Sequence, residues 1–232
     1  MKSQIENEEF VSADELSQLM QRRITTYDLL SKLFIKEVDE AQLKALNSAM
    51  FPSGTKSYEI NKGYSMMVEY LSKIHPDVIT ELAVDYVRLF IGTGIDAKSA
   101  AFPFESVYTS EHSSIMQEAR DEVLVIYRGC GLDKVDAWKE GEDHIGIELE
   151  FMSFLSQEAK KAIDSDNEEI AFSHMVTQKN FLDKHLLNWV GEFCEQIRKI
   201  GKTQFYIGLS YLLEGFLKSD ILLINEIIGQ EQ

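Results

Sequence analysis

The chain reads as all-α, a single-domain helical bundle of about nine to ten helices. Three observations predict this. Apolar residues recur at three- and four-residue steps, as in Leu16, Leu19, Met20, Ile24, Tyr27, Leu30 and Phe34, which is the period of a helix with one buried face. Short polar or glycine-containing turns separate such stripes. Alternating runs and hairpin dipeptides are almost absent, so strands have no signal.

Residues 1 to 11 read as an acidic tail ahead of a helical domain of residues 12 to 232. Ser12-Ala-Asp-Glu15 has the spacing of a capping box and starts a helix that runs to about Ile35. Asp39 can cap a short second helix carrying Leu43, Leu46 and Met50, which Phe51-Pro52-Ser53-Gly54 ends. The next run, about Tyr58 to Ile74, stops at His75-Pro76. Pro76 suits the first turn of the following helix, where no intrahelical amide is required. That helix carries Ile79, Leu82, Tyr86, Leu89 and Phe90 on one side and ends at Ile91-Gly92-Thr-Gly94.

From Ile95 to Tyr108 the periodicity is lost. Because Phe102, Pro103, Phe104, Val107 and Tyr108 lie in this stretch, it is expected to pack as a functional loop. A helix from about Ser110 to Arg128 is broken by Gly129-Cys-Gly131. The helix of residues 144 to 158, apolar over most of its circumference, is expected to be the most buried. Asp164-Ser-Asp-Asn167 makes a polar turn, two helical stretches cover about Glu168 to Ile200, and Gly201 stops them. Phe205, Leu209, Leu212 and Phe216 stripe a further helix, and Ile221 to Ile228 supply a last short one.

Composition narrows the function. With 39 acidic against 23 basic residues among 232, the formal charge is -16, so the field of the chain repels phosphate backbones and draws cationic partners; nucleic acid is not expected as a ligand. Cys130 and Cys194 have no Cys-x-x-Cys spacing, which fits two buried thiols in a reducing compartment. The first residues lack an apolar run, and no stretch of about 18 apolar residues occurs. A soluble cytoplasmic protein without stable membrane insertion is expected, a monomer or homodimer.

Candidate site residues converge on Glu140-Gly-Glu-Asp-His-Ile-Gly-Ile-Glu-Leu-Glu-Phe-Met152, where a loop becomes an apolar helix. Asp143 is expected as the N-cap. His144 and Glu148 fall inside the apolar sector four residues apart, where each is costly to bury unless they pair. Two readings stand: a capped helix with an internal His–Glu pair, or a ligand site. Established catalytic spacings fail elsewhere. Gly201-Lys202-Thr203 lacks the leading glycine and the strand of a phosphate loop and reads as a C-cap followed by a threonine N-cap. Gly208-Leu-Ser210-Tyr-Leu212 fails the nucleophile elbow at its last position. No histidine has a glutamate three residues before it, as a di-iron bundle requires. His174 and His185 read as structural or surface histidines. Gly92-Thr-Gly94 lacks the third glycine of a dinucleotide turn. No metal or organic cofactor is expected.

The run Asp85-Tyr86-Val-Arg88-Leu89-Phe90-Ile-Gly92, the loop Pro103-Phe104-Glu105-Ser106-Val107-Tyr108 and the run Glu142-Asp143-His144-Ile-Gly-Ile-Glu148-Leu-Glu150-Phe151 together resemble the TorD/DmsD family of cytoplasmic redox-enzyme maturation chaperones. Phe181-Leu-Asp-Lys-His185-Leu, Trp189 and Phe205-Tyr206 look like that family's closing helices, so the resemblance covers about residues 80 to 220. Gly141 stands where the family usually has proline, in Glu-Pro-x-Asp-His. The resemblance implies a non-enzymatic protein that binds the twin-arginine signal peptide and the immature form of a molybdopterin-containing oxidoreductase until its cofactor is inserted, delaying export. By matched positions it implies signal-peptide binding at Asp143 and His144, with Phe104, Glu105 and Tyr108 in the adjacent loop. Some relatives are described as binding guanine nucleotide, so weak nucleotide binding is implied too, although no phosphate-binding motif here supports it.

The residues themselves suit such a peptide. Two guanidiniums followed by an apolar run call for carboxylates beside a hydrophobic groove, and Glu140, Glu142, Asp143 and Glu148 next to an apolar helix supply the charge. The opposing reading has Arg88 neutralise these acids internally and Tyr108 in the core. An α-helical hydrolase or metal-dependent enzyme centred on Asp143, His144 and Glu148 is the alternative from another class, and a plain scaffold the third.

Overall fold

The computed structural model describes residues 12–49, 51–52, 54–73, 75–92, 100–110, 118–133 and 140–230. The acidic tail expected at residues 1 to 11 lies outside them. Among the described residues the chain is all-α: α1 (Ala13–Ile35), α2 (Glu40–Ser48), α3 (Tyr58–Ser72), α4 (Val78–Tyr86), α5 (Glu105–Thr109), α6 (Glu118–Gly129), α7 (Ile145–Asp164), α8 (Glu168–Phe181), α9 (Leu187–Ile200) and α10 (Gln204–Gln230). Two π-helical turns, Val87–Ile91 after α4 and Leu182–Leu186 between α8 and α9, complete the set. None of these helices is long and apolar enough to cross a membrane.

Local chemistry explains most of the boundaries. Ser12 and Asp39 close reciprocal capping boxes with Glu15 and Gln42, satisfying amides that have no partner in the helix. Gly92 ends the π turn with φ +76°, a left-handed conformation that glycine adopts without strain. Gly201 ends α9, and the Thr203 hydroxyl accepts from the Tyr206 amide at 3.4 Å to open α10.

Three expectations need correction, and one lies partly outside the described residues. Pro76 lies in the turn before α4, whose N-cap is Asp77; Val78 donates to the His75 carbonyl at 3.1 Å, so the chain turns once more before the helix begins. The expected aperiodic loop contains α5, a single helical turn too short to show a stripe. Of the expected helix from Ser110, residues 111 to 117 lie outside the described residues, and α6 is described from Glu118. The two terminal helices are one, α10, 27 residues long. Its polar middle is no turn, because Asp220 is buried and accepts from Arg23 Nε at 2.6 Å, Arg23 Nη2 at 2.8 Å and Tyr27 Oη at 2.6 Å.

The core is arranged around α7, which buries 12 of its 20 residues and lies along α1 and α8. It runs beyond the expected residue 158 to Asp164. A Cβ at Gly146 would come within 2.5 Å of Ile35 Cγ1, so α1 and α7 meet there over bare backbone, and Ser31 Oγ donates to the Gly146 carbonyl at 2.8 Å. α3 lies against α10 in the same way: a Cβ at Gly63 would stand 2.6 Å from the Leu212 nitrogen, and one at Gly208 would stand 2.8 Å from the Gly63 carbonyl oxygen.

The turn between α9 and α10 is held from α4. The buried Asp85 carboxylate accepts from the amides of Lys202 at 3.1 Å and Thr203 at 2.6 Å and pairs with Arg88. Arg88 in turn donates to the Ile200 carbonyl at 2.5 Å. The acid thus satisfies amides at the start of one helix while the base satisfies a carbonyl at the end of another. Asp85→Ala is expected to lower the urea midpoint by an amount corresponding to about 2 to 4 kcal/mol, since it strands buried amides and a charged partner. A shift smaller than about 0.5 kcal/mol counts against the clamp.

Candidate functional site

Two short segments build the site by running antiparallel. Ile145 donates to the Pro103 carbonyl at 2.8 Å and Glu105 to the Asp143 carbonyl at 3.0 Å, pairing Phe104 with His144 as an isolated β-bridge. The rings of these two residues meet edge to face, centroids 5.2 Å apart. The loop before α7 is thereby sewn to the loop before α5.

His144, not Asp143, caps α7. It is His144 that has extended backbone, φ −73° and ψ 132°, the conformation an N-cap requires. Its Nδ1 accepts from the Gly146 amide at 3.0 Å, which places the ring proton of the neutral tautomer on Nε2. Burial holds its pKa down to about 3, because a charged imidazolium is poorly solvated there. Asp143, one residue earlier, turns its carboxylate to the first turn of α5, where Oδ2 accepts from the Ser106 amide at 3.0 Å and the Ser106 hydroxyl at 2.5 Å.

The expected pairing of His144 with Glu148 is not formed. A capping side chain folds back over the first turn and cannot also reach forward to the next. Glu148 instead accepts from Trp189 Nε1 at 3.3 Å, and the Glu105 carboxyl group is its neighbour. Glu105 also lies 3.0 Å from His185 Nδ1. Burial first, then the charges of Glu105 and Asp143, push the Glu148 pKa well above the usual carboxylate range. The protonated form of Glu148 is favoured accordingly. Oδ1 of Asp143 and Oε1 of Glu148 are buried without a hydrogen-bond partner. A Cβ at Gly141 would stand 2.6 Å from that Asp143 Oδ1, so a larger residue at 141 requires the carboxylate to move.

Arg88 takes no part here, being engaged with Asp85 and Ile200. Neutralisation comes from Arg120 on α6, whose Nε lies 2.5 Å from Glu142 Oε2, and Tyr127 Oη donates to the Glu142 carbonyl at 3.3 Å. Tyr108 is half-buried and stacks on Trp189 with centroids 5.3 Å apart. Of the residues expected at the site, Phe104, Glu105, Glu142, Asp143, His144 and Glu148 are thus buried, and Glu140 is exposed.

Outside this inner layer α6 stands off α7 and leaves a groove of about 380 Å³. Leu124, Tyr127, Ile147, Phe151 and Phe154 line it, Ile35 closes one end, and Asp133, Glu142 and Glu150 bring carboxylates to it. Its volume is at the small end for binding sites and suits apolar side chains. Glu142 is common to the inner layer and the groove.

Sequence reasoning missed Ser106, Arg120, His185 and Trp189 as partners of the expected acids. Their separations along the chain, 37, 22, 80 and 41 residues, leave no spacing signal. The one available sign was His185 on the apolar side of its helical run. Asp143, His144 and Glu148, the centre of the alternative enzymatic reading, bond to Ser106, Gly146 and Trp189 respectively. Among the described residues no group of three or more His, Cys, Asp or Glu side chains is placed to hold a metal ion.

A family profile described as nitrate reductase delta subunit matches residues 56–195, well over half of the chain and every residue of the inner layer. The chaperone protein TorD of Vibrio parahaemolyticus is 26% identical over 212 residues, spanning 89% of this chain and 96% of that one. TorD of Vibrio cholerae is 27% identical over 222 residues, spanning 93% and 98%. In fold, the chain is similar to a crystal structure of a candidate redox enzyme maturation protein from Archaeoglobus fulgidus, with TM-score 0.50 and 22% identity over 84% of this chain and 93% of that one.

The two buried titratable groups set opposite pH limits on stability. The folded pKa of His144 is depressed from 6.5, so its contribution is full above that value and is lost as pH falls toward 3, at up to roughly 1.4 kcal/mol per unit. His144→Asn keeps an acceptor for the Gly146 amide and is expected to flatten this acid limb. Glu148 has a raised folded pKa, so its contribution is full below 4.5 and declines as pH rises toward the folded value. Glu148→Gln is expected to flatten that alkaline decline. Urea midpoints of the parent and both variants from pH 4 to 9 check both; a parent-like pH profile for either variant refutes the assignment for that residue.

Proposed function

The chain belongs to the nitrate reductase delta subunit family, and on that premise we propose that it is a maturation chaperone for a redox enzyme. In this reading it binds the twin-arginine signal peptide and the immature form of a molybdopterin-containing oxidoreductase until the cofactor is in place. A client held before export puts the encounter in the cytoplasm.

The observation that carries the reading is the apolar groove between α6 and α7 with carboxylates of Asp133, Glu142 and Glu150 beside it. A twin-arginine peptide has the complementary order of groups, two planar cations and then an apolar run. Guanidiniums favour carboxylates in forked, charge-assisted hydrogen bonds, and the run favours a groove that excludes water. The charge of -16 draws such a peptide in from a distance.

The eight residues proposed to serve binding then act in two layers. Glu140, exposed, presents charge toward the peptide, and Glu142 lines the groove as an ion pair with Arg120. Phe104, Glu105, Tyr108, Asp143, His144 and Glu148 hold the loop that carries them, through the bridge to α5 and the contacts to Trp189 and His185. Binding groups held by packed supporting residues lose less entropy on association than groups on a free loop.

Calorimetric titration of the full chain with a twin-arginine signal peptide, a twin-lysine version and a scrambled peptide of equal composition tests the proposal. The expected order is arginine, then lysine, then scrambled, with about tenfold or more between the first and last. Added salt is expected to weaken binding without abolishing it, since charge attraction is screened over about 8 Å at physiological ionic strength and apolar burial is not. Equal affinity for all three peptides removes sequence recognition from the function.

A further inference from the structure

We infer that Glu150, on the outer face of α7, is the carboxylate that pairs with the arginine adjoining the apolar run of the bound peptide, while the first large side chain of that run enters between Leu124, Ile147 and Phe154. The inference rests on the peptide-binding reading above and adds to it a specificity-determining residue outside the buried loop.

Three observations support this choice of residue. Ile147, Glu150, Phe151 and Phe154 are spaced three, four and seven residues apart on α7, so they share one face, and all of them line the groove. The carboxylate therefore sits among the apolar residues of one helix face, one turn from Phe154 and one from Ile147. Next, the other carboxylates at the groove are engaged: Glu142 with Arg120 at 2.5 Å and Asp133 with Arg128 at 3.7 Å. Glu150 makes no hydrogen bond or ion pair with any described residue and is exposed, so a guanidinium meets it without first displacing a partner. Finally, an arginine beside a large aliphatic residue matches this geometry on both counts, since its stem covers apolar surface while its head stays at the carboxylate.

The test uses the full chain, a twin-arginine signal peptide and a second peptide in which the arginine nearest the apolar run is glutamate. Glu150→Gln is expected to weaken binding of the first peptide about three- to tenfold and to reduce its salt dependence. Glu150→Lys is expected to weaken it further and to bind the glutamate peptide better than the parent does. Because residue 150 is exposed, circular dichroism and the urea midpoint are expected to stay at parental values, separating loss of binding from loss of fold. If the parent prefers the twin-arginine peptide and both variants bind it equally well, the role of Glu150 is overturned and the chaperone reading stands. If the parent itself does not distinguish the twin-arginine from the scrambled peptide, both fall together.

Discussion

Burying Glu105, Asp143 and Glu148 in one cluster is the constraint from which much of the architecture follows. Carboxyl groups removed from water require hydrogen bonds or protons in compensation, and the donors here come from different elements. Ser106 on α5 serves Asp143, Trp189 on α9 serves Glu148, and His185 on a π-helical turn meets Glu105. Burial and the neighbouring charges favour the protonated form of Glu148, which lessens the repulsion within the cluster. The π turn inserts an extra residue into the α8–α9 helical path and so re-aims the side chains that follow it; His185 lies in that turn. The cluster therefore fixes the mutual placement of α5, α7 and α9, and the loop of residues 140 to 144 inherits its position from them.

The fold was largely legible in the sequence because its signals are local. Capping boxes at Ser12 and Asp39, the stop at Gly201 and the three-four stripes each involve residues within one or two turns of one another. What was not legible depended on distant partners. A polar Lys-Ser-Asp stretch inside an apolar stripe reads as a turn until Asp220 is seen against Arg23, 197 residues away. The N-cap misassignment had a subtler cause. Aspartate is the stronger capping residue by preference, yet the neighbouring histidine took the role once the carboxylate had a better use at α5. At the candidate site, sequence reasoning singled out the segment of residues 140 to 152 but not its division into an inner and an outer layer, because burial of an acid depends on partners that spacing does not reveal.

The motifs that carry the family resemblance contribute chiefly to construction. Asp85 and Arg88 hold the α9–α10 turn, and the residues from Pro103 to Ser106 and from Asp143 to Ile145 hold each other. Glu150, in the third of these motifs, is by contrast exposed. An exposed side chain can be replaced with little effect on the fold, whereas the buried partners of the scaffold cannot.

The way α6 is attached sets the character of the groove. Elsewhere helices meet over glycines, backbone against backbone, as α3 does with α10, and such seams allow almost no change of separation. α6 is held to the neighbourhood of α7 by Arg120 on Glu142, by Tyr127 on the Glu142 carbonyl and by the Tyr127 ring against Phe151, 4.7 Å between centroids. Arg120 and Tyr127 stand seven residues apart, about two turns of α6, so side chains rather than a backbone seam hold the helix. Side chains can change rotamer where backbone packed on backbone cannot shift. A crevice walled in this way tolerates variation in the apolar bulk beside it more readily than the glycine seams do.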